Sequence, residues 1–137
     1  MRRLAAIGMA AACALLGGGC GTPSADLFVV TRSGSIPGAG LSLLVSDGGT
    51  VRCNGGSARS IGDQRLLTAR ELARDLRKPA EHALTLKPGP QSIMRYRVRS
   101  EDGTVTFSDT SRGQPLVFFR VAAFTREVAQ SVCGLAR

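Results

Sequence analysis

His82 is the only histidine in the 137 residues, and it lies in a stretch flanked by Pro79, Pro88 and Pro90. A hydrolytic site needs a nucleophile with a base beside it. No Gly-x-Ser-x-Gly elbow surrounds any serine. The carboxylates are scattered singly. Glu71 and Asp75 stand one helical turn apart, but surface acids paired with Arg74 and Lys78 explain them better than a catalytic dyad. The glycine runs near 17, 38, 48 and 55 lack a phosphate-loop lysine or the strand–helix context of a dinucleotide fingerprint. A zinc site takes about four ligands, and only His82 could join the cysteines, without ligand spacing. These residues point away from an enzyme and from a bound metal or cofactor.

The arginines offer different chemistry. Arg95, Arg97 and Arg99 alternate with Tyr96 and Val98, so on a strand they share one face at about 7 Å spacing. Guanidinium forks suit carboxylate and phosphate. Two readings stand side by side: a row for an anionic partner, or the solvent face of an antiparallel sheet. The polar Thr104 and Thr106 on the return strand favour the second. Net charge is +8, from 18 basic and 10 acidic side chains. An acidic partner would account for that excess. So would a general bias in composition, since sixteen arginines stand against two lysines.

The elements that must position these residues follow from the hydrophobic pattern. Strands are expected over Leu27–Arg32, Leu41–Ser46 and Thr50–Cys53, with Asp47-Gly48-Gly49 as a hairpin turn. Asp63 is placed to cap a helix whose stripe is Leu66, Ala69, Leu72, Ala73 and Leu76, closed by Pro79. Residues 80–91 read as an irregular connection. Met94, Tyr96 and Val98 give the cleanest strand, and Asp102-Gly103 turns it into Val105 and Phe107. Pro115 suits the first turn of a helix carrying Val117, Val121, Phe124, Val128 and Val132, with Gly134 as its stop. The order β-β-β-α-β-β-α predicts an α+β fold: an antiparallel sheet of about five strands with two helices on one face.

The N-terminus reads as an address. Met1-Arg2-Arg3 is a positive head and Leu4–Leu16 is apolar. In a helix that stretch spans about 20 Å, too short for a membrane anchor and right for a signal peptide. Arg2-Arg3 alone does not make a twin-arginine signal. Leu15-Leu16-Gly17-Gly18-Gly19-Cys20 resembles the lipobox of bacterial lipoproteins, with Gly17 where that family usually has leucine. The resemblance implies a signal peptide over 1–19 and a diacylglyceryl group on Cys20, making the membrane a partner. Cys13, in mid-stretch, is the less suitable alternative. Residues 20–25 would then be the lipidated cysteine and a flexible tether, and 26–137 a single domain. Loss of Arg2 and Arg3 lowers the net charge by two. Cys53 and Cys133 remain as a pair, which in an exported chain predicts a disulfide. Localisation is expected at the outer face of the cell membrane, where nucleic acid is not a partner. A monomer is expected.

Val29-Val30-Thr31-Arg32-Ser33-Gly34-Ser35-Ile36-Pro37-Gly38 resembles the opening of the emfourin family, small inhibitors of thermolysin-type metallopeptidases. Thr31, Arg32, Ser33, Gly34 and Gly38 line up with that opening, and Ser35-Ile36-Pro37 replaces its Gly-Phe-Ala. Arg70-Glu71-Leu72, Tyr96 and Asp102-Gly103 fall in the corresponding helix, strand and turn. The resemblance covers about 27–132. It implies a protein-binding inhibitor of a secreted metallopeptidase, with Arg32, Ser33, Gly34 and Ser35 notable at the contact. The disulfide and lipid anchor are additions to that pattern. The alternative expectation is an envelope lipoprotein that binds anionic cell-wall polymer or a membrane surface through Arg95, Arg97 and Arg99.

Overall fold

The computed structural model describes residues 23–136. The expected signal segment 1–19 and the lipidation site Cys20 lie outside the described residues. The elements are β1 (Asp26–Gly34), β2 (Leu41–Ser46), β3 (Thr50–Cys53), β4 (Arg59–Ser60), α1 (Asp63–Glu81), β5 (Met94–Ser100), β6 (Gly103–Ser108) and α2 (Leu116–Ser131). The sheet order is β4-β3-β2-β1-β5-β6, with every neighbouring pair antiparallel. This is the expected α+β architecture, with six strands rather than about five. The sixth is the two-residue β4, too short to leave a periodic signal.

Period-two alternation decides which face meets the helices. Phe28 and Val30 of β1, Leu41, Leu43 and Val45 of β2, Val51 of β3, Tyr96 and Val98 of β5, and Val105 and Phe107 of β6 are buried together with the apolar sides of both helices. Phe107 lies between Tyr96 and Phe118, with ring centroids 5.1 and 4.4 Å away, and Phe124 meets Phe28 edge-on at 6.2 Å. These contacts seat α2 on β1 and β6. The Cys53–Cys133 disulfide ties the end of β3 to the segment just after α2, as expected.

Several boundaries differ from the sequence reading for local reasons. Asp63 is the first helical residue, Gly62 occupies the cap position, and no side chain caps the end. Pro79 sits inside the last turn of α1, which runs on to Glu81. A proline there still accepts at its carbonyl, and the Leu84 amide donates to it at 3.0 Å. The connection 80–91 is not wholly irregular. Leu84 and Leu86 exchange backbone hydrogen bonds with Thr106, adding a parallel bridge beside β6. Pro115 precedes α2 instead of opening it.

Candidate anion-binding face

Both helices lie on one side of the sheet, so the other side is uncovered. Cross-strand register places its residues in rows. One row runs Arg52, Leu44, Val29, Arg99 and Thr104 across β3-β2-β1-β5-β6. The next runs Ser42, Thr31, Arg97 and Thr106. Arg95 stands beside Ser33 in a third. Arg52, Arg95, Arg97 and Arg99 are exposed, while Val29 and Leu44 are half-buried. None of these positions carries a carboxylate. At the rim, Asp26 and Glu101 border Arg99, Asp26 also borders Arg52, and the Asp109 carboxylate accepts from the Ile93 and Met94 amides next to Arg95.

The acids are used on the helical side. Arg120 bridges α2 to α1 through Glu71 at 2.9 Å and Asp75 at 2.7 Å. Arg65 meets Glu127 at 2.7 Å, Arg70 meets Asp47 at 2.6 Å, and Arg77 approaches Asp102 at 3.9 Å. Glu71 and Asp75 are thus surface ion-pair acids, but their partner lies across the helix interface. The expected pairs with Arg74 and Lys78 along α1 do not form. Among the described residues, Arg95, Arg97 and Arg99 make no ion pair. The ion pairs among the described residues therefore cluster around the helices, where Arg74, Lys78 and Arg126 nonetheless form none, and the open-face guanidiniums stand without one.

The other expected contact residues separate. Arg32 belongs to the opposite parity of β1 and lies on the core side between Leu41 and Tyr96. It is only 2% exposed. Its Nε donates to the Ala39 carbonyl at 2.8 Å and its Nη2 to that of Gly38 at 3.3 Å. A buried cation on backbone carbonyls shapes the β1–β2 loop from beneath and is not presented to a partner. This corrects the expectation that Arg32 lies on the contact surface. Ser33, Gly34 and Ser35 are exposed and join Ser92, Ile93 and Arg95 around a shallow depression. The start of β5 is fixed there by Asp109, whose carboxylate accepts from the Ser92 hydroxyl and from the Ile93 and Met94 amides.

His82 caps the end of α1, where its Nδ1 lies 2.8 Å from the Lys78 carbonyl. Asp75 lines the same depression as His82, and its carboxylate is held by Arg120. No group of three or more metal-ligating side chains occurs among the described residues. Burial pushes the Tyr96 phenol up from its ordinary value, with the Arg32 guanidinium opposing and the Asp109 carboxylate reinforcing the shift.

Arg52 was missed from sequence. The alternation Thr50, Val51, Arg52 gives its side of β3, but only the register across three strands puts it in the row of Arg99. Compared with protein-family models, curated proteins and solved structures, the chain finds no match, so the uncovered arginine face and the Arg32-braced loop are what there is to read function from.

Proposed function

We propose that this chain is a lipid-anchored, extracytoplasmic binding module without catalytic activity, and that it engages an anionic partner through its open sheet face. One observation carries the reading: four exposed arginines share a face whose cross-strand rows hold no acid, with Asp26 and Glu101 standing at its rim. Arg52 donates from Nη1 to the Gly56 carbonyl at 3.0 Å but meets no acid, and exposed guanidiniums without an ion pair can form forked, charge-assisted bonds with phosphate or carboxylate. The half-buried Val29 and Leu44 lie between Arg52 and Arg99 and offer an apolar floor. The sheet holds the row rigid, which lowers the ordering cost of binding. The test is retention of residues 21–137, oxidised, on an immobilised polyphosphate. Retention that falls steeply with salt, and is lost in Arg95→Gln/Arg97→Gln/Arg99→Gln, supports the reading. Retention indifferent to both sinks it.

A second reading keeps the resemblance to the emfourins. It is favoured by the β1–β2 loop, which is braced by Arg32 from below and presents Ser33–Ser35 beside Ile93. A preformed loop of this kind suits a protein-binding inhibitor. A progress curve of a thermolysin-type metallopeptidase with excess domain tests it. Stoichiometric loss of activity supports inhibition, and full activity at micromolar domain removes that peptidase class.

A further inference from the structure

The N-terminal end of the described chain lies on the arginine face. Pro23 and Ser24 share a depression with Leu44, Thr50 and Arg52, all open-face positions, with Ser46 and Gly48 at the β2–β3 turn, and with Ala58 and the carboxylate-bearing Asp26 at its rim. Ala25 is fixed there, since its carbonyl accepts from the Asp47 amide at 2.8 Å. Ser24 packs so closely on the turn that a Cβ on Gly48 would lie 2.6 Å from its hydroxyl oxygen. The exit point is therefore attached to the sheet by several contacts before the chain continues toward Cys20.

Only Gly21 and Thr22 separate Pro23 from Cys20. Three fully extended residue spacings reach about 10 Å, close to one Debye length at physiological salt. A lipid on Cys20 would hold the exit point, with Arg52 beside it, within that distance of the headgroups. Arg52 lies beside the exit point, and Arg99 lies three strand spacings further on in the same row, about 14 Å away. A tether this short allows the sheet face to lie against the bilayer with the helical side turned outward.

We infer that the anionic partner of the open face is the membrane that carries the chain's own lipid, with Arg52, Arg95, Arg97 and Arg99 contacting lipid phosphates while α1 and α2 face away. This rests on the proposed anchored, anion-binding reading and names its partner. The cofacial exit and the short covalent reach distinguish a membrane from a distant polymer. The arginines serve as a second attachment and fix orientation. The helical side then remains available to the aqueous space.

The experiment uses the full lipidated chain reconstituted in vesicles. Arginines are footprinted with phenylglyoxal and read by mass spectrometry. In phosphatidylglycerol-rich vesicles, Arg97 and Arg99 should react several-fold more slowly than in pure phosphatidylcholine vesicles. The exposed α1 residue Arg74 should react equally in both, and high salt should abolish the difference. Equal reactivity of Arg97 and Arg99 in the two vesicle types overturns the membrane assignment. If soluble polyphosphate then protects them, the anion-binding face stands with a different partner. If polyphosphate also fails, the anion-binding reading falls with it. An Arg97→Gln/Arg99→Gln chain that still shows membrane-dependent protection at Arg52 and Arg95 keeps the orientation and assigns it to the remaining pair.

Discussion

Thr125 lies wholly buried in α2, and its hydroxyl finds no hydrogen-bond partner among the described residues. An unsatisfied buried hydroxyl costs about 1–3 kcal/mol. Thr125→Val keeps the shape and removes the polar atom. It should raise stability by about 1 kcal/mol, or roughly 4 °C in Tm, measured by thermal unfolding. Tyr96 gives a pH prediction. Its folded pKa lies above the unfolded value, so the folded state holds the phenolic proton after the unfolded chain has lost it. Stability from this group is complete below about pH 10 and falls as pH rises through and above it. Urea titrations between neutral and strongly alkaline pH should show a steeper alkaline loss in the wild-type chain than in Tyr96→Phe. Equal slopes would remove burial of the phenol as the cause. Arg32 belongs at this scale too: the family resemblance suggested a contact residue, and its parity on β1 made it an interior one.

At the scale of elements, β1 is the hinge of the architecture. It lies between β2 and β5, so the N-terminal hairpin and the C-terminal hairpin meet only along it. Its last residue, Gly34, is where β5 approaches most closely. A Cβ there would stand 2.5 Å from the Ile93 carbonyl oxygen and 2.9 Å from the Ala39 side chain. Gly34→Ala should therefore cost about 1–3 kcal/mol through backbone displacement, read by urea unfolding. The Ser35 amide, which donates to the Ile93 carbonyl at 3.1 Å, should lose hydrogen-exchange protection in the same variant. Protection unchanged at Ser35 would mean that the strand ends absorb the methyl elsewhere. The two helices are joined at their surface by Arg120, a bridge that contributes little because its groups are solvated. Their association rests on the shared apolar core.

At the scale of the molecule, the disulfide closes residues 53 to 133, a separation of 80. It ties β3, near the sheet edge, to the end of the chain's last helix. The chain-entropy account gives about 4.5 kcal/mol for a loop of that length, a large share of the stability of a small domain. Cys53→Ser/Cys133→Ser should lower the unfolding free energy by that order, measured against the oxidised chain in urea. A loss below about 1 kcal/mol would mean the unfolded chain is already constrained in this region. The whole-molecule charge pattern sets the functional reading. Arginines are spread along the entire sequence, yet folding pairs Arg65, Arg70, Arg77 and Arg120 near the helices and leaves the sheet-face group exposed together.

The sequence by itself determined the element order apart from the two-residue β4, the two long hydrophobic stripes, the β5 alternation and the cysteine pairing, because each is written in local periodicity or simple counting. Leu41–Ser46 and Thr50–Cys53 were legible to the residue, since turn residues bound both strands. Capping at Gly62, continuation through Pro79 and the Thr106 bridge were not, because tertiary packing decides how a helix end or connection is satisfied. The candidate face was half legible. Alternation alone put Arg95, Arg97 and Arg99 on one side of a strand. Only the tertiary structure decided that both helices cover the opposite side, that Arg52 joins the row of Arg99, and that Arg32 turns inward. Those outcomes depend on register between strands distant in sequence, which no local spacing encodes.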